Sequence, residues 1–160
     1  MCIKNLLKEI EFDNFVAFDL ETTGLDSKRN EIIEISALRF IDGELSDEFT
    51  TLVKPDQQIP QKITEITGIS DIMVSNAPHV SEVLDDFISF MDGSIVVAHN
   101  AEFDLEFINQ NISKYSKEIN IKSVCDTLLL SRSFLFSLEK FNLEFLSNYF
   151  ELSHDAHRAR

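Results

Sequence analysis

A chain of 160 residues suits one compact domain. Its hydrophobic fraction of 44% can fill a real core, and 14 Phe with no Trp make Phe the main filler. The formal net charge of −14 argues against general electrostatic attraction to a polyanion. A site built of carboxylates can still meet phosphates through divalent cations, which invert the local charge. Cys2 and Cys125 are far apart and give neither a paired metal spacing nor a disulfide framework. The N-terminal MCIKNLLKEI has no apolar run long enough for a signal peptide or a membrane span. The expected setting is therefore cytoplasmic, away from any membrane.

The first strong element is Phe15-Val16-Ala17-Phe18-Asp19-Leu20, a short apolar run that predicts a buried central strand ending at Thr22-Thr23-Gly24. Glu31 to Phe40 alternates Ile33, Ile35 and Ala37 with Glu34, Ser36 and Leu38, which predicts a strand with one better-buried face. Asp42-Gly43 signals a hairpin, and Phe49 to Lys54 returns as a third strand, stopped by Pro55. Short helical pieces are expected from Pro60 to Asn76, with Gly68 ending the first. Val80, Val83, Leu84, Phe87, Ile88 and Met91 form one helical stripe between Pro78 and Asp92-Gly93. Ser94 to Ala98 is a strand, Ala101 to about Ile112 a helix, and Ile121 to Cys125 a fifth strand. Asp126 can cap the helix after it. Leu138, Phe141, Phe145 and Tyr149 mark a last amphipathic helix. Three adjacent strands followed by alternating helix and strand predict an α/β domain, a mixed sheet with helices on its faces. No glycine-rich phosphate loop is present, so a nucleotide cofactor has no support.

Asp19 closes an apolar strand, where a carboxylate is costly unless something satisfies it. Glu21 lies two positions on and so shares its side in extended chain. Two such carboxylates repel, and a divalent cation with a taste for oxygen, Mg²⁺ or Mn²⁺, would relieve them. The plainer alternative makes Asp19 a turn cap and Glu21 a solvated side chain. In Val97-Ala98-His99-Asn100-Ala101-Glu102-Phe103-Asp104 a second buried strand runs into polar residues and a helix. There Asp104 falls in the first helical turn, where negative charge is favourable, and Asn100 is a candidate N-cap. The tail His154-Asp155-Ala156-His157-Arg158-Ala159-Arg160 offers histidines that could serve as a base near neutral pH.

Taken together, Phe18-Asp19-Leu20-Glu21-Thr22-Thr23-Gly24-Leu25 closely resembles the first motif of the DEDDh, or DnaQ-like, 3′–5′ exonucleases. Ala98 to Asp104 resembles their second motif, Asp126-Thr127-Leu128 is similar to a further family segment, and His157-Arg158-Ala159 looks like the start of the third. Within the family the proofreading domains of bacterial DNA polymerase III, epsilon subunit or built-in, are the most similar. The resemblance implies an RNase H-like fold with a five-stranded mixed sheet flanked by helices. It implies two divalent cations, with Asp19 bridging both, Glu21 supporting the one that carries the attacking water, and Asp104 helping to hold the other. His157 would take the water's proton. Leu20, Thr22, Thr23 and Phe103 would position the terminal nucleotide, and His99 would stay near the scissile phosphate. Phe103 also suits plain helix-to-core packing. The implied partner is a nucleic-acid 3′ end, DNA ahead of RNA, with a polymerase subunit as a further partner.

The family has one more Asp, a helical turn and a little more after the catalytic His, and that position lies just past Arg160. The expectation is a single exonuclease domain over residues 1–160 that lacks the family's final helix, with weak activity as it stands. Two other readings stay open: an RNA-trimming exoribonuclease of the same superfamily, and a catalytically weakened nucleic-acid-binding or scaffolding module.

Overall fold

The computed structural model describes residues 12–152. Strand β1 (Phe15–Thr22) pairs antiparallel with β2 (Ile32–Ile41), and β2 pairs antiparallel with β3 (Glu44–Leu52). The hairpin turn is Asp42-Gly43, both at positive φ (53° and 75°), the conformation that matches the twist of paired strands. Helices α1 (Gln61–Thr67) and α2 (Asp71–Val74) follow, and α1 ends at Gly68 in the left-handed region (φ 73°). Helix α3 (Val80–Met91) leads to β4 (Ile95–Ala98), α4 (Ala101–Lys114), β5 (Ser123–Asp126), α5 (Thr127–Phe134) and α6 (Leu143–Tyr149). The sheet order is β3-β2-β1-β4-β5, with β1, β4 and β5 parallel. This is the five-stranded mixed sheet that the sequence predicts, with β1 at its centre.

The parallel pairings put the C-terminal ends of β1 and β4 at one end of the sheet. Both candidate motifs sit there, because each begins where one of these strands runs out. Val16, Phe18, Leu20 and Thr22 of β1 are buried, and Phe15, Ala17, Asp19 and Glu21 on the alternate face are half-buried. The buried face meets α3, with the Phe18 and Phe87 ring centroids 6.4 Å apart. Phe87 in turn packs on Phe49 of β3, so one ring ties α3 to two strands. Removing such a buried ring costs about 3–5 kcal/mol.

Three details differ from the sequence reading. Strand β3 starts at Glu44, directly after the turn, rather than at Phe49. Its first five residues are exposed, and backbone pairing with β2 carries a stretch whose composition is not strand-like. Acidic side chains on such an edge discourage pairing with other chains. Strand β2 is buried on both faces over Ile32 to Ala37, not on one. A bulge changes the facing at its start: Glu21 pairs with Glu34 and Thr22 with Ile32, which leaves Ile33 as the extra residue. Ile32 and Ile35 join the main core, while Ile33 packs in a second cluster with Ile59, Ile69 and Val74. Finally, α6 covers Leu143–Tyr149 only, capped by Asn142 accepting from the Phe145 N–H at 3.1 Å. Leu138 and Phe141 precede it in irregular chain. Among the described residues no helix is long and apolar enough to cross a membrane.

Candidate active site

Asp104 stands in the first turn of α4 and is 2% exposed. Its Oδ1 accepts the backbone N–H of Leu20 at 3.1 Å, a bond across 84 residues that pins the helix start to the C-terminal part of β1 between Asp19 and Glu21. Burial is the main force pushing its carboxyl up, to about 8 from an ordinary 3.8. The negative charge of Asp19 adds to it and that of Glu21 adds further, while the N–H groups of Leu20 and of Asp104 itself pull the other way. The three carboxylates picked out in the sequence thus feel one another in the fold. This is an arrangement that electrostatics disfavours unless positive charge arrives.

The chemistry of this donor set is oxygen only, with one carboxylate buried and repelled by its neighbours, and that fits a hard divalent cation. Among the described residues no group of three His, Cys, Asp or Glu side chains is gathered closely enough to hold a metal ion.

The turn carrying the second motif has its own device. Asn100 is left-handed (φ 64°, ψ 49°) and heads α4, but its side chain makes no cap bond. The capping carboxylate is that of Asp126. It accepts from the N–H groups of Asn100 and Ala101, each at 3.1 Å, and of Leu128 and Leu129 at 2.8 and 3.3 Å. One side chain therefore serves the starts of two helices, α4 and α5. Burial pushes the Asp126 carboxyl up, but the four N–H donors together outweigh it and hold it below the usual range. The sequence shows Asp126 as a cap for α5; its reach back to α4 comes from the parallel pairing of Ala98 with Asp126.

His99 is held by its ring, with Nδ1 3.0 Å from Thr127 Oγ1, and that hydroxyl also reaches the Ala98 carbonyl at 3.3 Å. Burial lowers the His99 pKa most, the Phe141 backbone and the Asp126 charge raise it, and Arg132 lowers it, for a net decrease. Its contact with Thr127 is not evident in the sequence, because the two lie 28 residues apart.

The other sequence candidates fall in different places. The Leu20 side chain is 4% exposed and belongs to the main core, so what it turns toward the site is its backbone. Thr22 and Thr23 are buried, and their hydroxyls already work in the loop: Thr22 Oγ1 donates to the Gly24 carbonyl at 2.7 Å, and Thr23 Oγ1 accepts from the Glu31 N–H at 2.9 Å. Phe103 packs on the core, 5.2 Å from Phe107 between ring centroids. His157 lies outside the described residues, as do Cys2 and the rest of the tail.

Comparison with known proteins gives this geometry a family. The exonuclease family model RNase_T matches residues 16–160. The chain is 42% identical over 145 residues to the DNA polymerase III PolC-type of Clostridium perfringens, covering 91% of this chain and 10% of that protein. It is 39% identical over 148 residues to the DNA polymerase III subunit epsilon of Treponema pallidum, covering 91% of this chain and 69% of that subunit. The chain thus spans about a tenth of the length of the PolC-type relative. Among solved structures, Exonuclease X in complex with 5′ overhanging duplex DNA superposes with a TM-score of 0.66 at 26% identity, covering 88% of this chain and 75% of that one. The mixed sheet with its flanking helices is the RNase H-like fold of these neighbours. With the two carboxylate motifs at one sheet end and the match running over nearly all of its length, the chain belongs to the exonuclease family.

Proposed function

We propose that this domain is a 3′–5′ exonuclease that releases nucleoside monophosphates from DNA ends and proofreads during replication in the cytoplasm. The observation that carries this reading is the buried Asp104, locked to β1 at Leu20 and raised to about 8 beside Asp19 and Glu21. Such a cluster gains nothing for stability, and the likeness to polymerase III PolC-type and epsilon proteins gives it a task. Exonucleases of this kind use divalent metal ions. Here Asp19, Glu21 and Asp104 would hold two of them, Mg²⁺ or Mn²⁺, which would activate water and steady the attacking and leaving oxygens of the phosphodiester.

The residues around that centre have their own work. Leu20 fixes Asp104 through its N–H. Asp126 sets the turn that carries His99 toward the phosphate. Thr22 and Thr23 shape the loop beside the terminal nucleotide, with Phe103 behind it. His157 would accept the water's proton, a role assigned by its place in the sequence. Partners would be a DNA 3′ end and a polymerase subunit.

The test is digestion of matched DNA and RNA oligomers, labelled at either end, with Mg²⁺. Release of mononucleotides from the 3′ end of DNA, with RNA digested more slowly, is expected. Release from the 5′ end, internal cutting, or faster digestion of RNA would overturn the proposal.

A further inference from the structure

In a chain of net charge −14, cations outnumber acids in several surface hollows, and by the widest margin in one. It is lined by Lys28, Arg29, Lys54 and Lys114 against Glu31 and Asp56, with the amides of Asn30, Gln57, Gln110 and Asn111 between them. Part of the acidic charge is already committed. The Glu31 carboxylate accepts the N–H groups of Asp56 and Gln57 at 3.2 and 2.9 Å, and Asp56 lies 3.6 Å from His79. Arg29 is shared with Asp26 at 3.6 Å and the Lys114 ammonium stands over the Tyr115 ring at 5.1 Å, and the three lysines are the main cations of the wall.

The place of this hollow matters as much as its charge. Ile32, on its wall, is the strand partner of Thr22, the residue after Glu21. Glu31, also on the wall, is bonded twice to Thr23, through its carbonyl at 2.8 Å and its N–H at 2.9 Å. Paired strand residues are about 5 Å apart and neighbours along the chain about 4 Å. The backbone of the wall therefore begins about 9 Å from that of Glu21, and Lys114, ten residues along α4 from Asp104, lies about 15 Å down the helix.

We infer that this hollow binds the sugar-phosphate backbone of the nucleic-acid strand whose end lies at the carboxylates. Lysines neutralise phosphates as mobile point charges, and the amides can bond sugar or phosphate oxygens without reading sequence. This answers the problem posed by the composition, since a local cationic wall can hold a polyanion on an otherwise acidic chain. The inference rests on the exonuclease reading above.

The test uses the full chain carrying Lys28→Glu and Lys114→Glu together, assayed on a single-stranded DNA oligomer and on the p-nitrophenyl ester of thymidine monophosphate. The ester has a single phosphate, the one held at the carboxylates, so it offers the lysines no further backbone phosphate. Expected is a KM for the oligomer raised about tenfold, a shallower dependence of KM on salt, and an unchanged rate on the ester. An unchanged oligomer KM would overturn the inference, and so would an equal loss on both substrates. A loss confined instead to Arg132→Glu with Lys140→Glu, on the far side near His99, would overturn it too and move the strand there. If the unaltered chain hydrolyses neither substrate, it is the exonuclease reading that fails. Direct titration of a fluorescent oligomer in EDTA then still shows whether the lysine pair binds the strand.

Discussion

Replacing Asp104 by Asn should make the metal-free domain more stable while removing its chemistry. Asn keeps an oxygen for the Leu20 N–H at the same point, so the anchor between α4 and β1 survives. What it removes is a carboxyl whose pKa rises from 3.8 unfolded to about 8 folded. At pH 7.5 the unfolded chain carries Asp104 ionised, whereas the fold must protonate it or bear the repulsion of Asp19 and Glu21. At about 1.36 kcal/mol per pH unit this approaches ~5 kcal/mol, and local relaxation and water reduce it to about 2–4 kcal/mol. The folded value lies above the unfolded one, so Asp104 favours folding most below about pH 4 and loses that contribution as the pH rises toward 8. The assay is guanidinium unfolding in EDTA at pH 5 and pH 7.5, for the unaltered chain and Asp104→Asn. The variant should be the more stable at pH 7.5, by a margin that shrinks at pH 5. Adding Mg²⁺ should stabilise the unaltered chain and leave the variant unmoved. A variant less stable at pH 7.5, or a margin that grows on acidification, would refute the reasoning.

Asp126→Ala strips the cap from two helices at once and should cost about 1–3 kcal/mol, with amide exchange quickening at Asn100 and Ala101 as well as at Leu128. Its carboxyl is held low, so its contribution is present above about pH 4 and lost below it; exchange that changes only at Leu128 would show that the reach to α4 is unimportant. Gly24→Ala should lower Tm, because a Cβ there would meet the Asn30 side chain at 2.7 Å and force it off the Asp26 N–H it accepts from. The expected cost is about 1–2 kcal/mol, checked by thermal unfolding, and an unchanged Tm would show that Asn30 moves aside freely.

Much of the fold was legible because its signals are local. Asp19 and Glu21 could be placed on one side of β1 from alternation alone, and Asp104 in the first turn of α4 from the strand-to-helix switch at Asn100. Relations made across the sheet were not legible. The Ile33 bulge depends on the register of β1 against β2, and no property of Ile33 announces it. The start of β3 at Glu44 depends on pairing with β2, against the weak strand preference of its acidic residues. Asp126 reads as a cap for the helix beside it, and its bonds to Asn100 and Ala101 exist only because β4 and β5 run in parallel. The apolar spacing of Leu138 and Phe141 suggested helix where Asn142 instead starts a shorter one. For the site, the strand-end position of Asp19 and Glu21 and the helical turn of Asp104 were legible, but the depth of Asp104 was not foreseen. A first-turn acid is usually a solvated partner of the helix dipole, and here it is buried and tied to the central strand.

Whether Asp19, Glu21 and Asp104 act through metal decides the chemistry of the site. The direct measurement is Mg²⁺-dependent release of mononucleotides from a 5′-labelled DNA oligomer by the complete protein and by its Asp19→Ala variant, with circular dichroism on both. The prediction is an unchanged spectrum and a loss greater than the ~100-fold that removal of an outer-sphere group brings. Retained, Mg²⁺-dependent cleavage by a folded Asp19→Ala protein would contradict it.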